Sequence, residues 1–89
     1  MWMLAYSEQA AEQLRHLNKE TVIRIKSYID KVLELEDPRS RGQGLSGSLA
    51  GYWRYRIGDY RVVVAIEDDR LVIIALTIAH RSTVYRTIR

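Results

Sequence analysis

The chain has 89 residues, 47% hydrophobic and 28% charged, with a net charge of +3, so it can build one core and not two. Its composition excludes low complexity, and the absence of cysteine excludes a disulfide scaffold, a thiolate zinc site and a cysteine nucleophile. The longest apolar run, residues 71–79 broken only by Thr77, is far short of the ~20 residues of a membrane span, and no basic segment followed by an apolar core marks a signal peptide.

Residues 2–6 are apolar and aromatic and predict a strand. Ser7 is placed to cap a helix with Glu8 in its first turn, and Ala10, Leu14 and Leu17 recur at helical spacing. His16, near the end of this helix, suits the negative end of its dipole better than a ligand role. Asn18 reads as a second cap. Behind it Val22, Ile25, Ile29, Val32 and Leu33 form one apolar face, with Glu20 and Arg24 as an i,i+4 pair on the other side. Pro38 stops this helix near Glu36.

Residues 39–51 hold four of the five glycines and read as a long flexible loop pinned by Leu45 and Leu49. Residues 42–47 match G-x-G-x-x-G formally, but the dinucleotide fingerprint needs a strand before it and a helix after it, the reverse of the order here. Three strands come next, at residues 52–57, 60–67 and 71–79, joined by two-residue turns at Gly58-Asp59 and Asp68-Asp69. The last is apolar on both faces and predicts a central position; the first strand of the chain is expected at an edge of this meander. The tail offers only Val84, Tyr85 and Ile88 for packing. The predicted fold is α+β: a single domain over residues 1–89, order β-α-α-β-β-β, with a two-helix hairpin on one face of a small antiparallel sheet.

Register then places the bases, of which 11 are Arg and only 3 Lys. Arg is the side chain of planar, bidentate phosphate and carboxylate recognition. A two-residue turn at Gly58-Asp59 sets Ile57 opposite Tyr60 and Arg56 opposite Arg61, so Arg54, Arg56 and Arg61 share a face. Continuing the count through Asp68-Asp69 pairs Val63 with Ile74 and brings His80 to the same face, beside Arg81 and a few residues from Tyr85. Such a face fits a phosphate, an acidic protein, or solvent alone. Like charges directly opposite are destabilising, which favours a ligand. The turn carboxylates Asp59, Glu67, Asp68 and Asp69 are ordinary turn residues rather than a glycosidase pair. Ser82 with His80 has neither a third member nor an oxyanion hole.

The segments Leu45-Ser46-Gly47, Tyr52-Trp53-Arg54-Tyr55-Arg56-Ile57-Gly58-Asp59-Tyr60-Arg61-Val62 and His80-Arg81-Ser82-Thr83-Val84-Tyr85 resemble the RelE-type toxins of bacterial toxin–antitoxin pairs, in the RelE/ParE superfamily. The resemblance spans nearly the whole chain. It implies a metal-independent, cofactor-free endoribonuclease that acts in the bacterial cytoplasm and cuts the messenger RNA codon in the ribosomal A site by attack of the 2′-hydroxyl on the adjacent phosphate. It also implies a RelB-like cognate antitoxin, through which alone the pair touches DNA. Arg54 and Arg56 match the family's two basic positions, Arg61 the ligand of the scissile phosphate, Arg81 the arginine near the leaving oxygen, and Tyr85 the tyrosine that stacks on the codon base. Well-known members carry Lys where Arg54 and Arg56 stand. Arg effectively cannot release a proton, so the expectation is that His80 takes part in proton transfer, histidine being the side chain whose unperturbed pKa lies near neutrality. The alternatives are a ParE-like toxin that blocks gyrase without cutting, and an inactive toxin fold that acts only with its antitoxin in operon repression.

Overall fold

The two expected caps are made, and they define the helical half of the molecule in a computed structural model that describes residues 1–86. Ser7 Oγ accepts from the Ala10 amide at 3.0 Å and starts α1 (Glu8–Arg15). Asn18 Oδ1 accepts from the Thr21 amide at 2.8 Å and starts α2 (Lys19–Glu34). Three residues join the helices, and His16 closes the first by donating its backbone N–H to the Gln13 and Leu14 carbonyls. Pro38 lies buried in a 3-10 turn (Pro38–Ser40) beyond the end of α2. No helix among the described residues is long and apolar enough to cross a membrane.

The strands are β1 (Met3–Tyr6), β2 (Gln43–Gly44), β3 (Trp53–Ile57), β4 (Tyr60–Glu67) and β5 (Val72–His80), in the order β1-β5-β4-β3-β2. Both helices add to one core on this sheet: Ala10 from α1 and Ile25, Ile29 and Val32 from α2 pack with Tyr55, Ile57, Val62, Val64, Ile73, Ala75 and Ile78. The expected fold class and order hold, and β1 does lie at an edge, but the sheet is mixed rather than antiparallel. β1 runs parallel to β5, pairing Met3 with Val72 and Tyr6 with Ala75. Hydrogen bonds made just beyond β1 account for that direction. The chain continues along the same edge of β5, where the Ser7 amide donates to the Ala75 carbonyl, Ser7 Oγ donates to the Leu76 carbonyl at 2.8 Å, and Gln13 Oε1 accepts from the Ile78 amide at 2.6 Å. Side chains of α1 thus complete the hydrogen bonding of an edge that β1 is too short to cover.

Two further departures matter for the charged face. β2 lies inside the glycine-rich loop and pairs Gln43 with Arg54 and Gly44 with Trp53. The second connection of the meander spans residues 68–71, four residues rather than two, with Leu71 at φ 53°. That difference shifts pairing by two and leaves every side chain on its expected face. A bulge then reverses the faces: Val64 pairs with Ala75 but Val63 with Thr77, leaving Leu76 as the extra residue. The expected Val63–Ile74 pairing is therefore absent. Beyond the bulge Thr77 and Ala79 fall in line with Val63 and Arg61, whereas Ile78 and His80 fall in line with Val62 and Tyr60. Ile88 and any structure beyond Arg86 lie outside the described residues.

Replacing Gln13 by Ala strips the acceptor from the Ile78 amide and is expected to cost about 1–3 kcal/mol, the usual penalty for an unmet buried polar group. Urea unfolding followed by circular dichroism should show a lower midpoint at unchanged slope.

Candidate nucleic-acid interface

The Gly58-Asp59 turn forms as expected, with φ positive at Gly58 alone of its two central residues, as a II′ hairpin turn requires. Arg56 accordingly stands opposite Arg61, and Arg54 lies two residues before Arg56 on the same face. The intervening residues Tyr55 and Ile57 are buried on the helix side, so the core fixes the strand that presents the arginines. Arg61 is half-buried, and one arm of its guanidinium donates to the Gly58 and Tyr60 carbonyls, both at 2.9 Å. Burial, followed by the charges of Arg56, Arg54 and Arg81, holds the Arg61 guanidinium below its ordinary range, with Tyr85 acting in the opposite sense. Four guanidinium groups and one phenol are therefore electrostatically close.

Arg81 is brought in by its backbone, whose N–H donates to the Asp59 carbonyl at 2.8 Å. Its side chain keeps only a loose, exposed ion pair with Asp59, at 3.9 Å. Tyr85 stands on a 3-10 turn (Val84–Arg86) anchored by fully buried Val84, and the residue is itself 45% exposed. The Tyr85 hydroxyl accepts from Arg54 Nη1 at 2.7 Å, and Gln43 Oε1 accepts from Arg54 Nη2 at 2.5 Å. Arg54 Nε is buried without a hydrogen-bond partner.

The structure thus gathers Arg54, Arg56, Arg61, Arg81 and Tyr85. It does not place His80 with them. The bulge at Leu76 turns His80 to the other side of the sheet, where its ring meets Tyr60 edge-on at 5.7 Å and its Nδ1 lies 2.8 Å from Ser82 Oγ. There it lines a groove with Glu12, Gln13 and His16. The proton-transfer role expected for His80 loses the placement on which it rested. Sequence reasoning also missed Gln43, because a two-residue strand inside a glycine-rich loop carries no periodic signal. Chemically, the face offers guanidinium donors for phosphate oxygens and an exposed tyrosine on whose ring a base can stack.

The chain is similar to known proteins over most of its length. A family model described as ParE toxin of type II toxin-antitoxin system, parDE, matches residues 4–85. Toxin RelE of Mycobacterium tuberculosis (strain ATCC 25618 / H37Rv) is 34% identical over 83 residues, covering 93% of this chain and 84% of the relative. Among solved structures, a chain of the toxin–antitoxin complex RelBE2 from Mycobacterium tuberculosis superposes with a TM-score of 0.81 at 25% identity, covering 90% of this chain and 98% of that one. A double mutant of the E. coli toxin RelE in the free state has the same fold, with a TM-score of 0.76 at 24% identity over 96% of this chain and 90% of that one.

Arg56 is exposed and opposes another arginine. Arg56→Gln is expected to stabilise the ligand-free protein by about 0.2–1 kcal/mol at low salt, the range for a cross-strand pair. The gain should shrink as salt screens the cluster. Thermal melts at low and high sodium chloride read both effects.

Proposed function

The chain belongs to the RelE/ParE superfamily and is a RelE-type toxin of a toxin–antitoxin system, and from that premise we propose that it is a ribosome-dependent endoribonuclease that cuts messenger RNA in the A site. The observation that carries this reading is the half-buried Arg61, which faces Arg56 across the ladder, shares a side of the sheet with Arg54 and feels the charge of Arg81. A cluster that strains its own charges in the free protein is relieved by a phosphodiester, and a transition state with more charge on its oxygens relieves it further.

In the proposed reaction the 2′-hydroxyl oxygen attacks the adjacent phosphorus and the bond to the 5′ oxygen breaks. The products are a 2′,3′-cyclic phosphate and a 5′-hydroxyl; one proton leaves the attacking hydroxyl for solvent and the leaving oxygen takes one up. Arg61 holds the phosphate oxygens. Arg81, at the end of β5, neutralises charge on the leaving oxygen. Tyr85 stacks on a base splayed out of the message. Arg54 and Arg56 contribute fixed charge and no proton transfer, since arginine stays protonated. His80 takes no part. The nucleophile belongs to the RNA, so a serine or cysteine of the protein is not required. The partners are an antitoxin, as in the toxin–antitoxin complex formed by the structural relative, and the ribosome with its message, which sets the site of action in the bacterial cytoplasm.

The match to a family described as ParE toxin favours a second reading, a toxin that binds gyrase and cuts nothing. Primer extension on programmed ribosomes with an empty A site separates the two: the first gives a cut within the A-site codon, the second leaves the message intact. Arg61→Ala and Arg81→Ala are each expected to lower cleavage about 10²–10³-fold, with unchanged circular dichroism and unchanged antitoxin copurification. His80→Ala is expected to leave the pH–rate profile unaltered in shape and height; a lost limb would return His80 to the reaction.

A further inference from the structure

Arg54 differs from its neighbours in that both arms of its fork are already engaged. One Nη donates to the Tyr85 hydroxyl and the other to the Gln43 side-chain carbonyl, and its Nε is buried without a partner. Two of its five donors thus orient the group against its neighbours, which fixes its position before any ligand arrives. Its two partners come from opposite directions, Tyr85 from the 3-10 turn after β5 and Gln43 from β2, which faces Arg54 across the ladder. Beside them runs a groove of about 300 Å³, lined by residues 43–46, half-buried Leu49, Arg54 and Tyr85.

The lining suits one chemistry. Tyr85 is exposed and offers an aromatic ring, and Leu45 and Leu49 offer apolar surface to a flat ligand. Ser46 precedes a 3-10 turn (Gly47–Leu49) without capping it through its side chain, so its hydroxyl is available to a ligand. The Gln43 amide nitrogen keeps its donors while its oxygen holds Arg54. The loop is fixed in this place by Gly42, at φ +82°, where a Cβ would lie 2.4 Å from the Arg54 carbonyl oxygen, and by the Leu45 amide, which donates to the Tyr52 carbonyl at 3.1 Å.

We propose that this groove is a nucleobase subsite, which the loop of residues 42–49 lines together with Tyr85, and in which Gln43 both positions the Arg54–Tyr85 pair and reads the edge of one unstacked RNA base. Arg54 is then a positioning residue, and the glycine-rich loop contributes to base selection. The subsite deepens the nuclease reading and rests on it for its biological substrate, but its occupancy is measurable without cleavage.

The test titrates the full-length protein with an uncleavable 2′-O-methyl trinucleotide while following backbone amides, the Tyr85 ring and the Arg54 Nε–H by NMR. The expected result is saturable shifts at Gly44, Leu45, Ser46, Tyr85 and the Arg54 Nε–H, with affinity that differs among trinucleotides varied one base at a time. Gln43→Ala, an exposed substitution, should weaken binding about tenfold and flatten that base preference. Gln43→Glu, which keeps the acceptor for Arg54, should restore the Arg54 Nε–H position without restoring the preference. Shifts confined to Arg61 and Arg81, no shift at millimolar trinucleotide, or an unaltered preference in Gln43→Ala would each overturn the subsite. Cleavage of programmed ribosomes by the wild type is scored separately. Cutting with a silent groove removes the subsite and keeps the nuclease; a filled groove without cutting does the reverse.

Discussion

A two-residue turn leaves no freedom of register, and the Gly58-Asp59 turn therefore dictates that Arg56 and Arg61 face each other. Everything on the charged face is arranged around that imposed repulsion. The same strands that carry it are held from behind: Tyr55 is fully buried, its hydroxyl donates to the Pro38 carbonyl at 2.8 Å, and its ring lies 5.9 Å from that of Tyr28. Burial pushes the Tyr55 phenol well above its ordinary pKa, so it stays a neutral hydrogen-bond donor. Alternation along β3 means that tightening the core at Tyr55 and Ile57 also tightens the positions of Arg54 and Arg56. The helix hairpin is thus a clamp on the back of the charged face as well as the cover of the core.

That coupling separates the molecule's charges into two kinds. Arg39 is matched to Asp68 by a two-pronged pair, both contacts at 2.9 Å, and Arg15 and Arg70 are matched to glutamates three residues before them. These satisfy themselves. On the face, Arg61 leans on backbone carbonyls and Arg54 on a neutral amide and a phenol. Neutral acceptors orient a guanidinium without cancelling its charge, which suits a surface built to receive an anion. On the proposed function, the like charges on this face trade local stability for anion binding.

The sequence carried the helices well, because capping side chains and apolar spacing act over three or four residues. Ser7 and Asn18 sit where their hydrogen bonds require, and the first hairpin comes from one glycine. It did not carry the parallel edge strand, whose direction depends on hydrogen bonds between Ser7, Gln13 and residues more than sixty positions away. Nor did it carry β2, which owes its place to the Arg54 ladder and not to its own two residues. The charged site was legible as far as register stayed local. Arg54, Arg56 and Arg61 lie on or beside one turn, and Arg81 and Tyr85 come soon enough after β5 to arrive on either count. His80 is the residue for which a single extra position upstream decided the side of the sheet.

That extra position, Leu76, makes the bulge a buffer for strand length. Substitution within β5 exchanges one side chain and leaves its neighbours where they were. Loss of the Leu76 codon would close the bulge and leave Thr77, Ile78, Ala79 and His80 opposite Val63, Val62, Arg61 and Tyr60, the partners they already have. Lineages of this fold can therefore shed a residue at this one point of the strand without changing which side chains meet the guanidinium cluster.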